Sequence, residues 1–291
     1  MKTAKEFSLR MITAIIALAV VLACLWRGGL FWLGLLSLVG MVAAAELWRL
    51  DKTNWRNFEG LVCIVALPVL LLTFAWGWLD VGAALLASAC LLATYARAQK
   101  SGGLVFPLLL LPVLLGGLML AAHLGVAGGT AAGAVTLLWL LAVIVASDSG
   151  AFFCGRIIKG PRMAVKISPN KTWAGFVGAV VFGGVVGGIA GVGCTKLLQF
   201  TDFNIFALAI LGAVTAAVSQ GGDLCESFLK RRISVKDSGK LLPGHGGVLD
   251  RIDSLLVGLW FVVLFGLMRE QPQNIESLNA ETVAQGIFLW M

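Results

Sequence analysis

The feature that most constrains this chain is a recurring apolar run of about 20 residues, long enough to cross a hydrocarbon core about 30 Å thick as a helix. Hydrophobic residues make up 59% of the 291 residues and charged residues only 13%. The mean hydropathy is +0.94, far above that of soluble domains. The sequence therefore predicts an all-α, polytopic integral membrane protein.

We predict about nine transmembrane helices with the N-terminus in the cytoplasm. This orientation places 19 of the 22 Lys and Arg residues on the cytoplasmic side and three on the other side. Such an asymmetry is typical of membrane proteins, in which basic residues gather in cytoplasmic loops. The predicted spans lie near residues 11–26, 29–48, 59–79, 81–96, 103–124, 129–149, 173–195, 204–226 and 252–268.

Two predicted cytoplasmic loops, 156–172 and 227–251, hold 11 of the 22 basic residues. Topology alone would need fewer, so the excess indicates an anionic ligand. The net charge of +7 lies in loops beside the membrane and is not the footprint of a nucleic-acid-binding protein. The six cysteines form no C-x-x-C pair and indicate small buried residues, not disulfides or a zinc site.

Two pairs of carboxylates stand at predicted helix ends. Asp223 and Glu226 are three residues apart and share one helix face, and Asp250 and Asp253 repeat that spacing. Carboxylates at a membrane edge are costly unless they are paired, hydrated or bound to metal. Solvated helix ends and helix-dipole partners are the alternatives. We predict Mg²⁺, which binds through a few carboxylates together with phosphate oxygens and water, with a second cation as an open question.

The stretch "PGHGG", residues 243–247, lies between basic residues and the last predicted span. Glycines at Gly246 and Gly247 would let backbone N–H groups approach an anion closely, whereas a simple turn is the alternative. Lys236 and Lys240 come shortly before them. The pattern predicts a cradle for phosphate groups.

A second loop brings similar chemistry to the same side. Asp148 is expected to end the sixth span, and "SPNKT", residues 168–172, is expected to form a turn before a helix that Thr172 caps. Asn170 and Lys171 could reach a phosphate or a base. The chain has neither a P-loop nor the kinase set of loops, which argues against an ordinary ATPase. The residues together predict a cytoplasmic-edge site for a polyphosphate, a divalent metal and a lipid co-substrate.

The segment from Ser227 to Asp253 resembles the signature of phosphatidate cytidylyltransferases, also called CDP-diacylglycerol synthases. That signature reads S-x-x-K-R, four residues, K-D-x-G, and then P-G-H-G-G-x-x-D-R-x-D, and this chain matches it throughout. "DSGAFFCGR" and "SPNKTWAGF" resemble two further family segments. Phe152 and Ala174 depart from the family, which often has Tyr at the first position and Glu or Gln at the second.

The resemblance implies that CTP and phosphatidate react to give CDP-diacylglycerol and pyrophosphate, with Mg²⁺ as cofactor. It implies a homodimer in the cytoplasmic (inner) membrane with its active site facing the cytoplasm. We accordingly divide the chain into N-terminal transmembrane helices, 1–126, and a C-terminal catalytic region, 127–291. Asp223 and Asp250 match the family's metal-binding carboxylates, and Glu226 and Asp253 are further metal candidates.

The remaining predicted site residues are mostly basic or small. The catalytic set is completed by Lys230, Arg231 and His245. The predicted substrate-binding residues are Asp148, Ser168, Asn170, Lys171, Lys236, Asp237, Gly246, Gly247 and Arg251.

Three other functions remain open at this point. A transporter of anionic metabolites would carry charges near the bilayer midplane within paired repeats. A CTP-dependent polyprenol kinase would transfer the γ-phosphoryl group and release CDP. A homologue acting on an ether lipid, or an inactive one, would share the same signature. Charges crowd the predicted cytoplasmic ends and no repeat is evident, which favours the cytidylyltransferase.

Overall fold

The computed structural model describes residues 2–50, 121, 131–232, 235, 238–239, 246–270 and 280–290. These residues form seven helices and one antiparallel hairpin. The strands are β1 (Arg162–Ala164) and β2 (Ser168–Thr172). The helices are α1 (Lys2–Arg27), α2 (Gly29–Leu50), α3 (Ala131–Ile157), α4 (Trp173–Leu197), α5 (Ile205–Arg232), α6 (Leu249–Glu270) and α7 (Ala280–Phe288).

Five of the described helices are long and apolar enough to span a membrane, and α1 contributes a shorter apolar stretch, Ile12–Arg27. The described part of the chain is therefore mostly helical and of integral membrane type, as predicted. Predicted spans near 59–79, 81–96 and 103–124 lie outside the described residues, apart from Ala121. The five apolar helices are Gly29–Leu47, Ala131–Ile157, Trp173–Leu197, Ile205–Phe228 and Leu249–Glu270.

Three local predictions differ from the structure. Helix α3 continues to Ile157, so that Asp148 lies within a helix and not at its end. The segment Ser168–Thr172 is a strand and not a turn. A short buried helix, Ala280–Phe288, was not predicted. Helix α3 extends because small residues let its last turns pack on α4, where the Gly155 and Gly175 backbones come close together.

The chain divides into two compact units. One unit comprises Met1–Ala122 with Arg232–Ile252, and the other comprises His123–Arg231 with Asp253–Met291. The predicted boundary near residue 126 stays a prediction, because residues 122–130 lie outside the described ones. In the first unit α1 packs on α2, and the Trp32 indole donates a hydrogen bond of 2.9 Å to the Ala121 carbonyl.

Glycines bring the helices of the second unit together. Gly187 of α4 lies so close to Gly212 of α5 that a Cβ atom on Gly187 would stand 2.7 Å from the Gly212 Cα. The buried Trp139 of α3 donates a hydrogen bond of 2.8 Å from its indole nitrogen to the Gly187 carbonyl. The predicted packing role of the glycine-rich helix is confirmed at these contacts, since small residues let helix backbones approach.

Helix α7 packs against α3 and α4 and is largely buried. The Gly286 backbone lies directly against the Gly266 carbonyl of α6. The Arg269 guanidinium lies 3.9 Å from the centre of the Trp290 ring and donates a hydrogen bond of 3.2 Å to the Gly286 carbonyl. These contacts hold α7 and Trp290 against α6.

We predict that Gly187→Ala destabilises the protein, because the new methyl group would overlap the Gly212 backbone, which cannot move as a side chain can. Overpacking of this kind costs about 1–3 kcal/mol. Thermal unfolding of the purified protein in detergent measures the effect. Gly193→Ala is the matched control on the same helix, since its Cβ would meet nothing within 4 Å. Equal unfolding temperatures for the two variants would contradict this packing.

Candidate active site

An ion pair between Lys171 and Asp223 lies at the centre of the site in the second unit. The Lys171 Nζ is 2.7 Å from the Asp223 Oδ2, and both side chains are partly exposed, by 19% and 35%. Lys171 also donates to the Gln220 carbonyl at 3.4 Å, and the Ser227 hydroxyl donates to the Asp223 Oδ1 at 3.3 Å. The "SPNKT" segment therefore meets the helix that opens the longer sequence signature.

The hairpin places Lys171 at this position. Strand β2 pairs with β1 through Arg162 opposite Thr172. Thr172 then caps α4, because its hydroxyl accepts a hydrogen bond of 3.1 Å from the Gly175 amide, as predicted. The Arg231 Nε donates to the Ile167 carbonyl in the hairpin turn at 3.1 Å. The base and the turn of the hairpin are thus both held in place, and Lys171 lies beside the C-terminal part of α5.

Further carboxylates gather around this ion pair. The Gln220 amide donates to the Asp148 Oδ1 at 3.0 Å. Asp148 interacts electrostatically with Asp223 and Asp253, and Asp253 also lies beside Glu226. Four carboxylates from α3, α5 and α6 therefore share one neighbourhood and carry an excess of negative charge over the lysines that face them.

Glu226 is the most buried of these carboxylates, with 2% of its surface exposed. Its Oε1 lies 3.5 Å from the Nζ of Lys230, one helical turn further along α5. Within the described residues neither Glu226 oxygen accepts a hydrogen bond. A buried carboxylate whose described partners are one lysine and a neighbouring carboxyl group is a candidate for binding a cation.

No group of three or more His, Cys, Asp or Glu side chains among the described residues forms a complete metal site. This finding is compatible with Mg²⁺, which usually takes one or two carboxylates together with substrate phosphates and water. The donor chemistry of the carboxylate group fits such an ion, and it does not fit zinc. Magnesium binding stays a prediction.

The first unit contains Asp250 and the loop that precedes it. The Ser238 amide donates to both Asp250 carboxylate oxygens, at 3.1 and 3.0 Å, and the Gly247 amide donates to Oδ2 at 3.0 Å. Asp250 stands in the first turn of α6, where a negative charge suits the helix dipole. On the other side of the loop, the Glu46 Oε2 accepts hydrogen bonds from the Leu249 amide at 2.9 Å and the Ser238 hydroxyl at 3.2 Å.

Both loop glycines are required by the loop itself. Gly246 has φ = 84°, a left-handed conformation that favours glycine. A Cβ on Gly247 would stand 2.6 Å from the Glu46 Oε2 and 2.7 Å from the Gly239 amide nitrogen. Binding of a phosphate by these two residues stays a prediction, and their substitution will also disturb the loop.

The other predicted residues have varied positions. Ser168 is half-buried in β2, and Asn170 and Arg251 are exposed. Lys236, Asp237 and His245 lie outside the described residues. The sequence-based set missed Glu46, Gln220 and Ser238. Of these, only Glu46 carried a signal, because a carboxylate within an apolar span is itself an indication of function.

We predict that Gly247→Ala loosens the loop, because its methyl group would displace the Glu46 carboxylate or the Gly239 backbone. Hydrogen–deuterium exchange of peptides covering 238–250 should become faster than in the unmodified protein. Gly221→Ala is the control, since its Cβ would meet nothing within 4 Å. Unchanged exchange in Gly247→Ala would mean that the loop packs differently from this description.

Comparison with known proteins places this site in a family. The sequence profile of the cytidylyltransferase family matches residues 8–268. The phosphatidate cytidylyltransferase of Brucella abortus biovar 1 (strain 9-941) is 32% identical over 278 residues, which cover 92% of this chain and 96% of that protein. The enzyme of the same name from Staphylococcus aureus (strain COL) is 31% identical over 257 residues, covering 85% and 94%.

A shorter match is more similar. The phosphatidate cytidylyltransferase of Helicobacter pylori (strain 26695) is 48% identical over 126 residues, which cover 43% of this chain and 45% of that protein. The longer matches extend beyond the C-terminal signature to the N-terminal helices, where the sequence motifs alone gave no specific likeness. The chain belongs to the cytidylyltransferase family.

Proposed function

We propose that this protein is a CTP:phosphatidate cytidylyltransferase, which makes CDP-diacylglycerol and pyrophosphate for phospholipid synthesis. Its family and the names of its relatives support this function. The structural observation that carries the proposal is the 2.7 Å ion pair between Lys171 and Asp223. It joins the SPNKT segment to the helix that leads into the longer signature, in one charged site.

The reaction requires two polyanions to meet. An oxygen of the phosphatidate phosphate attacks the α-phosphorus of CTP, the bond from that phosphorus to the bridging oxygen breaks, and pyrophosphate leaves. Lys171, Lys230 and Arg231 supply positive charge from the hairpin and the end of α5, where it can offset phosphate charge and align the reactants. A phosphomonoester is already mostly ionised near neutral pH, so the nucleophile needs no general base.

Asp223 and Asp250 are the proposed magnesium-binding carboxylates, and Glu226 and Asp253 are further candidates. Bound to the triphosphate, the ion would neutralise charge that develops on the α-phosphate. Lys171 already pairs with Asp223, so it is placed to exchange the carboxylate for a substrate phosphate. Asp223 then has a positively charged partner in both states: Lys171 when no nucleotide is bound, and the proposed magnesium ion when nucleotide is bound.

The active site is proposed to face the cytoplasm in a nine-span protein of the inner membrane that forms a homodimer. The direction of the helices supports the orientation. Helices α4 and α5 are antiparallel, because Gly184 and Gly188 of α4 meet Ala213 and Ala209 of α5. Lys171 and Lys230 therefore lie at one end of this helix pair, and Lys196 lies at the other end. We propose that the end with Lys171 and Lys230 faces the cytoplasm, since basic residues gather on that side of a membrane.

The alternatives fit this arrangement less well. A transporter of anions would need charged groups along a path through the membrane. The carboxylates described here instead gather around one lysine-bearing hairpin beside the helix ends. A polyprenol kinase would use similar cations but would leave CDP as its product, so the released nucleotide product distinguishes it.

We predict that Asp223→Asn and Lys171→Ala each lower pyrophosphate release from CTP and phosphatidate by about 10²–10³-fold, because each removes charge stabilisation at the reacting phosphate. The assay uses purified protein in detergent with Mg²⁺. Lys196→Ala, in the last turn of α4, and Asp202→Asn, just after that helix, are matched controls and should keep their activity. Near-normal activity of Asp223→Asn at saturating Mg²⁺ would contradict the proposed role.

The orientation predicts which side of the membrane is reached by a labelling reagent. In a cysteine-free background, Lys166→Cys in the hairpin should react from the cytoplasmic side, and Gln273→Cys should react only from the opposite side. Inside-out and right-side-out vesicles treated with a membrane-impermeant maleimide test both positions. Cytoplasmic labelling at position 273 would break the nine-span topology.

A further inference from the structure

Glu46 is a buried carboxylate that lies far from the signature segments in the sequence. It stands near the end of the apolar part of α2, Gly29–Leu47, with 3% of its surface exposed. Its neighbours Ala43, Ala44 and Leu47 are also buried. A carboxylate in such surroundings costs several kcal/mol unless hydrogen bonds satisfy it. Its partners therefore indicate why the chain keeps a charge there.

Both hydrogen bonds to Glu46 come from residues 238–250, which we call the signature loop. The Leu249 amide donates to Oε2 at 2.9 Å and the Ser238 hydroxyl donates to the same oxygen at 3.2 Å. Gly239 and Gly247 also lie against the carboxylate, because a Cβ on either residue would overlap it. Helix α2 therefore holds the loop through one side chain, across a separation of 192 and 203 residues.

The two donors lie on either side of the loop that ends in Asp250. The Leu249 amide is at the start of α6, where the first N–H groups have no partner within the helix and an anionic acceptor also suits the helix dipole. Ser238 donates its backbone amide to Asp250 and its hydroxyl to Glu46. Ser238 is thus held twice, by Glu46 through its side chain and by Asp250 through its backbone amide.

We propose that Glu46 is a positioning residue, which fixes the signature loop and the Asp250 carboxylate through Ser238 and Leu249. Its catalytic consequence rests on the proposed cytidylyl transfer, whereas its effect on the loop does not. Only Oε2 accepts hydrogen bonds within the described residues. A side chain of the same shape with one acceptor oxygen is therefore sufficient, so a glutamine can replace the glutamate.

Glu46→Leu and Glu46→Gln test this role. Leucine keeps the volume but accepts no hydrogen bond, so exchange at peptides covering 238–250 should accelerate and kcat should fall by about 10- to 100-fold, the usual effect of losing a group that orients a ligand residue. Glutamine should keep loop protection and keep kcat within a few-fold. Leu36→Ala, about 15 Å away along the same helix, is the packing control. It should lower stability without loosening the loop selectively.

Hydrogen–deuterium exchange at residues 238–250 is measured without substrates. Its result therefore tests the positioning role even if the chain catalyses another reaction. Slow exchange in Glu46→Leu, equal to that of the unmodified protein, would overturn the positioning role. Loss of loop protection in Glu46→Gln would also overturn it, since the charge would then be the requirement. If Glu46→Leu does not fold, Ser238→Ala removes one of the two hydrogen bonds to Glu46 and should give faster exchange at 238–250 than in the unmodified protein. An unchanged rate in that variant would refute the proposal.

Discussion

Carboxylates within or near the ends of apolar helices are the constraint on which the described structure depends. A charge within an apolar membrane helix is costly when it has no partner. The partners of Asp223, Asp148 and Glu46 come from segments distant in sequence, whereas the partner of Glu226 lies one turn along the same helix. The pairs are Asp223 with Lys171, Asp148 with Gln220, Glu226 with Lys230, and Glu46 with Ser238 and Leu249.

These pairings give the site the charge balance that its chemistry needs. In the second unit, carboxylates outnumber the lysines that face them, so the site can accept a cation together with a polyanion. In the first unit, backbone amides and a hydroxyl satisfy Asp250 and Glu46. Close glycine-mediated helix contacts such as Gly187 on Gly212 provide a rigid support. The carboxylate pairings and the close helix contacts therefore together stabilise the fold and hold the charged groups in position.

Structural features that depend on the local pattern of residues could be predicted from the sequence. Apolar length predicted the described spans, and the position of Thr172 before α4 predicted its capping role. The sequence did not predict that Ser168–Thr172 pairs as a strand, because its partner strand is only three residues long. Nor did it identify Glu46, whose role depends on contacts about 200 residues away. The signature nevertheless identified the family, because its polar spacing reflects chemistry and not packing.

The central claim is that the α-phosphorus of CTP, and not the γ-phosphorus, is transferred to phosphatidate. Two parallel reactions test it with the purified protein, one with phosphorus-32 at the α-phosphate and one with it at the γ-phosphate. Cytidylyl transfer predicts α-label in the lipid fraction and γ-label in pyrophosphate. Appearance of the γ-label in the lipid fraction, with CDP released, would show a lipid kinase and contradict the proposed function.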